Sequence, residues 1–107
     1  MKVSILMLLS LTISMGLAVA AGDAAAGKAV YIKSCQTCHG ATGVANPKIA
    51  SMMKVDMKDL GSAEIQKISD EDLKETITKG KGKMKPVKTV AGKDMDNVVA
   101  YVRSLKK

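Results

Sequence analysis

Two cysteines and the single histidine of the chain lie within five consecutive residues, Cys35-Gln36-Thr37-Cys38-His39. Cysteines three positions apart, with histidine directly after the second, have the spacing at which a c-type haem is attached. The two thiols add to the vinyl groups on one edge of the porphyrin, which brings the His39 ring under the iron as a proximal ligand. The sequence therefore predicts one covalently attached haem c, bound by Cys35 and Cys38 and ligated by His39.

Three other uses of a cysteine pair fit the sequence less well. A thioredoxin-like redox pair belongs to a βαβ pattern, whereas here a helical pattern precedes the pair. A structural zinc site needs four ligands, and no second cluster of cysteine or histidine exists. A plain disulfide leaves His39 without a role.

The sixth iron ligand is predicted to be Met84. His39 is the only histidine, so a second imidazole is excluded, and a methionine thioether is the natural alternative. Met84 follows the glycines Gly80 and Gly82, and an extended backbone there would alternate these residues with lysines. The glycines would then face the porphyrin with Met84. The other methionines beyond the amino-terminal segment are interpreted as packing residues: Met52, Met53, Met57 and Met95.

Periodicity and capping residues predict an all-α domain with three main helices. The first spans 24–37 after the N-cap Asp23, the second starts at Ser69 and ends at Gly80, and the third spans 92–105. A short helix over 49–53 is added, and no segment shows strand alternation. The expected i, i+4 ion pairs of the second helix are Asp70–Lys74 and Glu75–Lys79.

The apolar positions indicate where the helices meet. Gly27 inside a helix costs about 1 kcal/mol against alanine, a cost that is offset where another backbone must approach closely. We therefore expect a helix crossing at Gly27 and Tyr31. The third helix has an apolar stripe at helical spacing, formed by Met95, Val98, Val102 and Leu105.

The amino-terminal segment 1–20 has the pattern of a secretory signal peptide. Lys2 precedes a largely apolar stretch, and Ala18-Val19-Ala20 provides the small residues of a cleavage site. Cleavage there leaves a single domain over 21–107, exported to the periplasm, with no membrane insertion. An uncleaved membrane anchor is the alternative.

The charge and composition limit the possible partners. The 107 residues have a net charge of +7, and removal of Lys2 with the signal leaves +6. Nucleic acid is not expected as a partner, because Arg103 is the only arginine and the aromatic residues are two tyrosines. The lysines around Met84 would favour redox proteins with acidic docking surfaces.

With these motifs in place, the chain resembles a small class I c-type cytochrome of bacterial periplasmic type. The resemblance covers most of 22–107 and includes the closing segment 99–105, which is similar to the last helix of the family. It implies a class I fold of helices and short helical loop segments around one haem. It also implies that Tyr101 joins the helix crossing and that the Pro47 carbonyl orients the His39 ring. Lys85 stands where the family usually has a proline after the methionine.

These observations predict a monomeric one-electron carrier rather than an enzyme, because both axial positions of the iron would be filled. Two alternatives remain. One is a haem sensor or small-ligand binder in which Met84 is displaceable. The other is the electron-entry subunit of a larger oxidoreductase.

Overall fold

The computed structural model describes residues 22–107, and these residues form an all-α domain. The predicted signal peptide over 1–20 lies outside the described residues. None of the helices within 22–107 is both long and apolar enough to span a bilayer. Six helices follow one another within residues 22–107: α1 (Ala24–Ser34), α2 (Gln36–His39), α3 (Pro47–Met53), α4 (Ala63–Gln66), α5 (Asp70–Lys79) and α6 (Lys93–Ser104).

The first helix begins as predicted but ends earlier. The Asp23 side chain accepts hydrogen bonds from the backbone N–H groups of Ala25 and Ala26, which caps α1. The continuous helix predicted through residue 37 is wrong, because Cys35 leaves the helical region at φ −126° and ψ −33°. The Cys35 N–H still bonds to the Tyr31 carbonyl, and a separate helical turn follows.

The first and last helices cross at Gly27, as the sequence predicts. A Cβ atom at this position would lie 1.8 Å from the carbonyl oxygen of Asn97 in α6, so only glycine permits the approach. The Asn97 side chain also accepts a hydrogen bond from the Asp23 N–H at 2.9 Å. Tyr31 and Tyr101 complete the crossing, with ring centroids 4.9 Å apart and planes tilted by 55°.

The core is built mainly from α6. Met95, Val98, Val99 and Val102 are buried on this helix, and Val98 and Tyr31 have no exposed surface. The predicted stripe is confirmed at three of its four positions, while Leu105 lies half-buried at its edge. The N-cap residue is Gly92, and because glycine has no side chain, no side-chain hydrogen bond caps α6.

The helix α5 has the predicted ends, but its ion pairs differ. Ser69 accepts from the Asp72 N–H, Gly80 follows the last residue, and the pair Glu75–Lys79 is formed at 3.0 Å. The predicted pair Asp70–Lys74 is not formed, so that prediction is wrong. Asp70 binds Arg103 at 2.8 Å and Lys74 binds Asp96 at 2.7 Å. Both of these pairs join α5 to α6. Because the two helices pack against each other, side chains of α6 bind Asp70 and Lys74 in place of the local pairing.

The segment between Cys35–His39, the haem-type motif, and α5 is more helical than predicted. The helix α3 starts at Pro47, two residues before the predicted start, because Asn46 caps it and proline is pre-organised for the first helical position. The four-residue helix α4 was not predicted. Ser62 caps it by accepting from the Ile65 N–H.

Candidate functional site

The helix α2 places the two cysteines and the histidine on one turn. The Cys35 carbonyl accepts hydrogen bonds from the N–H groups of Cys38 at 3.3 Å and His39 at 3.0 Å. Both cysteines are unpaired and half-buried. The structure therefore contains no disulfide here, and it presents two thiols and an imidazole within a single helical turn.

Burial sets the protonation of these groups. Burial, and then the proximity of Cys38, raise the pKa of the Cys35 thiol to about 11. A thiol that stays protonated at neutral pH is a poor nucleophile for disulfide exchange, which disfavours a thioredoxin-like role. Burial also lowers the pKa of His39, so its ring is neutral at physiological pH and retains a nitrogen lone pair.

A metal site built from side chains alone is not found in the part of the chain that the structure describes. No group of three or more histidine, cysteine, aspartate and glutamate side chains converges there to hold an ion. The zinc alternative therefore has no structural support within residues 22–107.

The loop after the motif is fixed to the helices on either side of it. The Tyr31 hydroxyl donates to the Gly40 carbonyl at 2.6 Å, and the Asn46 N–H donates to the Cys38 carbonyl at 3.0 Å. Gly40 has φ 75°, and a Cβ atom on it would lie 2.0 Å from the Val44 carbonyl oxygen. The position therefore requires glycine, because both the positive φ and the close contact exclude a side chain.

The His39 ring lacks the hydrogen bond that the resemblance implies. Its Nδ1 atom is buried and has no hydrogen-bond partner among residues 22–107, so the predicted bond to the Pro47 carbonyl is absent. Pro47 is the first residue of α3, which packs against α2. The buried His39 ring therefore has a nitrogen that no protein group satisfies, and this leaves the ring available to a further ligand.

Met84 lies in a tight turn, and the predicted extended path is wrong. Lys81 and Met84 exchange two backbone hydrogen bonds, at 3.0 and 2.9 Å, around Gly82 and Lys83. Gly82 has φ 56°, as the first central residue of a type II′ turn does. The sequence misses the turn because alternating glycine and lysine fits an extended path equally well.

A lysine connects this turn to the haem-type motif. The Lys83 ammonium group donates to the carbonyl oxygen of Met53, the last residue of α3. The helix α3 in turn packs against α2, which carries His39. The turn that carries Met84 and the helix that carries His39 are thus tied to the same short helix.

The remaining methionines differ in exposure. Met95 is buried in the core, as predicted, whereas Met52 is 78% exposed and so does not pack inside the protein as expected. Met53, Met57 and Met84 are half-buried. Among the methionines of the described part of the chain, only Met84 combines partial burial with a turn fixed by its own backbone.

Charge is distributed unevenly around the site. The segments 24–55 and 76–93, which carry the two halves of the site, contain ten lysines and no acidic residue. All ten acidic residues lie outside them, at Asp23, within 56–75 and within 94–96. The site is therefore surrounded in sequence by an excess of positive charge, and of these ten lysines only Lys79 forms an ion pair within residues 22–107, with Glu75.

The residues present fit a covalently attached porphyrin. Two unpaired thiols can form thioethers, and the buried Nδ1 atom of the adjacent imidazole lacks a partner within residues 22–107. The apolar side chains of Ile32 and Val44, which flank the motif in sequence, are about half exposed. Exposed apolar surface next to such a donor set is what a large apolar disc would cover. The fold and the donor set together define the class of small all-α proteins that carry covalent haem.

Comparisons with known proteins lead to the same class. Residues 22–102 match the family model described as cytochrome c oxidase, cbb3-type, subunit III. Cytochrome c6 of Rippkaea orientalis (strain PCC 8801 / RF-1) is 34% identical over 84 residues, which cover 77% of this chain and 70% of the relative. The solved structure of the KustC0563 c-type cytochrome is similar with a TM-score of 0.64 and 31% identity, over 76% of this chain and 98% of that chain.

The chain belongs to the c-type cytochrome family, within the group that the cbb3-type subunit III model describes. Its cofactor is accordingly haem c, bound covalently and containing iron, and its fold is the all-α class I cytochrome fold. Membership of this family makes it an electron carrier that works with redox partner proteins.

Proposed function

We propose that the protein is a periplasmic, monomeric one-electron carrier whose haem is bound by Cys35 and Cys38 and ligated by His39 and Met84. The donor set of α2 carries this proposal, because it places two free thiols beside a neutral, buried imidazole with an unpartnered nitrogen. Met84 is supported by its partial burial and by the turn that fixes it.

The haem, when bound, supplies a one-electron change at its iron. The residues of the chain supply everything else. Cys35 and Cys38 would hold the haem as thioethers, and His39 and Met84 would ligate its iron, which would leave no position open to a substrate. This arrangement favours electron transfer over catalysis.

The first experiment tests attachment and ligation together. The protein is exported in cells able to attach haem, and Met84→Ala is compared with Met52→Ala, a methionine that is largely exposed. Met84→Ala should lose the weak red absorbance band of iron–thioether bonding in the oxidised protein, and Met52→Ala should keep it. A colourless product, or pigment released by acidic acetone, contradicts covalent attachment. A band that survives in Met84→Ala contradicts the Met84 assignment.

Carbon monoxide separates the carrier from the sensor alternative. The reduced wild-type protein should resist carbon monoxide because Met84 would ligate the iron, and Met84→Ala should bind it rapidly. Fast, tight binding by the wild type would instead favour a sensor with a displaceable methionine.

Export and processing are proposed from the sequence of 1–20. Mass spectrometry of the exported holoprotein should give a polypeptide that begins at residue 21 and carries one haem. A chain that retains 1–20 in the membrane fraction would support the anchor alternative.

The proposed partners carry acidic docking surfaces. The ten lysines of 24–55 and 76–93, with no acidic residue among them, would attract such a surface and raise the encounter rate. The rate of electron transfer to an acidic partner protein should fall steeply as ionic strength rises. Lys81→Glu should slow it several-fold at low salt. Lys67→Glu, within the segment 56–75 that contains acidic residues, should have a smaller effect.

The family match supports one further candidate, the electron-entry subunit of a larger oxidoreductase, because the family model describes a subunit of an oxidase. The holoprotein would then co-purify with other subunits at physiological salt and dissociate at high salt. A monomer at physiological salt favours the free carrier.

A further inference from the structure

Gln66, the last residue of α4, makes two hydrogen bonds that join distant parts of the chain. Its side-chain Nε2 atom donates to the Leu60 carbonyl at 2.8 Å and to the Val102 carbonyl at 3.0 Å. Leu60 precedes α4, whereas Val102 is a buried residue of α6. The Val102 carbonyl also accepts from the Leu105 N–H at 3.1 Å, so the end of α6 does not depend on the glutamine. The side chain of Gln66 therefore acts chiefly on Leu60.

Leu60 is one end of a loop whose two ends meet. Its N–H donates to the Gly43 carbonyl at 3.1 Å, which closes a neck between the first and last residues of the 43–60 loop. The neck packs on the end of α6, because a Cβ atom on Gly43 would lie 3.1 Å from the side chains of both Leu60 and Leu105. Gln66 thus binds one side of this neck to α6 through a partly buried amide.

The 43–60 loop contacts both halves of the candidate site. It contains α3, which packs against α2, the helix that carries His39. Met53, the last residue of α3, accepts a hydrogen bond from Lys83 in the turn that carries Met84. The loop therefore extends from the histidine side of the site to the methionine side.

The apolar side chains of this loop are incompletely covered by protein. None of the residues 44–60 is buried. The half-buried apolar residues before Leu60 are Val55, Met57 and, within α3, Ile49, Ala50 and Met53. Apolar surface beside the thiols and the imidazole of α2 is what a porphyrin would cover. The loop thus has the composition and the position of a cover for the haem.

We propose that Gln66 is a positioning residue, whose amide holds the neck of the 43–60 loop against α6 and thereby keeps the loop closed over the haem. The inference rests on the proposed haem attachment at Cys35 and Cys38, and it adds the residue that limits the access of water to the haem. Because exclusion of water influences a haem's reduction potential, the Gln66 amide would help to set that potential.

Two further bonds hold the neck from the carboxyl-terminal side. The Lys107 N–H donates to the Gly61 carbonyl at 3.0 Å, and the Lys107 ammonium group pairs with Asp59. The ion pair involves an exposed side chain, so water competes with it and its contribution is small. Lys107 therefore provides a matched control, since its side chain acts on the same neck without the partly buried amide.

The test compares three variants of the holoprotein with the wild type. Gln66→Met keeps the length of the side chain and removes the donor, and Gln66→Lys keeps a donor of similar reach. Lys107→Met removes the exposed pair with Asp59. Amide hydrogen exchange measures the opening of the 43–60 loop, and the reduction potential measures the access of water to the haem.

Gln66→Met should speed exchange of the Leu60 and Val55 amides about tenfold, because their acceptors lie within the loop and its closed state loses two hydrogen bonds. The Gly80 amide, which bonds within α5, should keep its rate. Gln66→Lys and Lys107→Met should both stay close to the wild type.

The reduction potential of Gln66→Met should fall, because water that reaches the haem favours the more highly charged ferric state. The weak red band of iron–thioether bonding should persist, since the loop opens without displacing Met84. If Gln66→Met does not accumulate as holoprotein, Gln66→Asn replaces it. The shorter side chain of this variant cannot reach both carbonyls and should give a smaller change in the same amides and in the potential.

Several results would overturn the proposal. One is unchanged exchange in the 43–60 loop, or acceleration confined to the core amides of α6, which would make Gln66 a support of the global fold alone. Another is faster loop exchange with an unchanged potential, because the loop would then not cover the haem. Equal effects in Lys107→Met or in Gln66→Lys would show that the amide donor is not responsible. Release of the pigment from the wild type by acidic acetone would instead contradict the proposed function.

Discussion

The two regions that carry the proposed iron ligands are held in the protein by different means. The turn of α2 with His39 is fixed by bonds from distant parts of the fold, through Tyr31 to α1 and through Asn46 to the following loop. The turn with Met84 closes on itself, through two backbone bonds between Lys81 and Met84. Within residues 22–107, the only side-chain hydrogen bond of this turn is the one from Lys83 to the Met53 carbonyl.

The difference indicates that the histidine side is tied to the core through Tyr31, whereas the methionine side can open alone. Locally closed segments with few buried contacts open at lower free energy than the global structure. Displacement of a ligand should therefore begin at Met84, and changes to the helix crossing should be needed to disturb His39.

The largest effect is expected from Gly27→Ala. The added Cβ atom would lie 1.8 Å from the Asn97 carbonyl oxygen, so α1 and α6 must separate. We expect a loss of about 3 kcal/mol or more in the free energy of unfolding, measured by denaturant titration of the holoprotein. Gly82→Ala is the control. No atom lies within 4 Å of its added Cβ, and only the positive φ opposes it, at a cost of about 1 kcal/mol. Equal losses would show that the crossing does not support the histidine side.

The next effect concerns Arg103, which supports the start of α5. Its guanidinium donates to Asp70 and to the carbonyls of Gln66 and Ile68, so Arg103→Met leaves two backbone acceptors without this donor. We expect a loss of about 2 kcal/mol in thermal or denaturant unfolding. Asp70→Asn should cost less, because the two carbonyl bonds remain. If the variant also admits carbon monoxide, the methionine side depends on α5 more than the comparison assumes.

A smaller and more local effect is expected from Lys83→Met. Loss of the bond to the Met53 carbonyl should leave global stability nearly unchanged, because a single exposed bond contributes little. It should still raise the rate of carbon monoxide binding to the reduced protein a few-fold, since the Met84 turn opens more often. Lys85→Met removes the same charge and is the control. An equal increase in Lys85→Met would assign the effect to charge and not to the bond.

The comparison also explains which parts of the structure the sequence predicts. The ends of α5 and the crossing at Gly27 were predictable, because caps and close approaches depend on one or two residues in the chain. The pairing of Asp70 with Arg103 was not predictable, because the sequence offers Asp70 a local partner, Lys74, as well as distant ones. The Met84 turn was missed because alternating glycine and lysine does not distinguish an extended path from a reversal. The hydrogen bond from the Tyr31 hydroxyl to the Gly40 carbonyl was not predictable, because any buried aromatic residue satisfies the packing argument.

The smallest effect is expected at the carboxyl-terminal end, where acid should release one contact far from both ligands. A hydrogen bond from Lys107, and then one from the Gly61 N–H, lower the pKa of Asp59 below its ordinary value of 3.8. Because the folded pKa is lowered, the stabilisation is complete above pH 3.8 and is lost as the pH falls through the folded pKa. Asp59→Asn should therefore reduce the dependence of unfolding free energy on pH only in this acidic range, whereas Asp56→Asn serves as a control. If acid displaces Met84 in the wild type but not in Asp59→Asn, the methionine side is coupled to the carboxyl terminus and is less independent than its local bonds indicate.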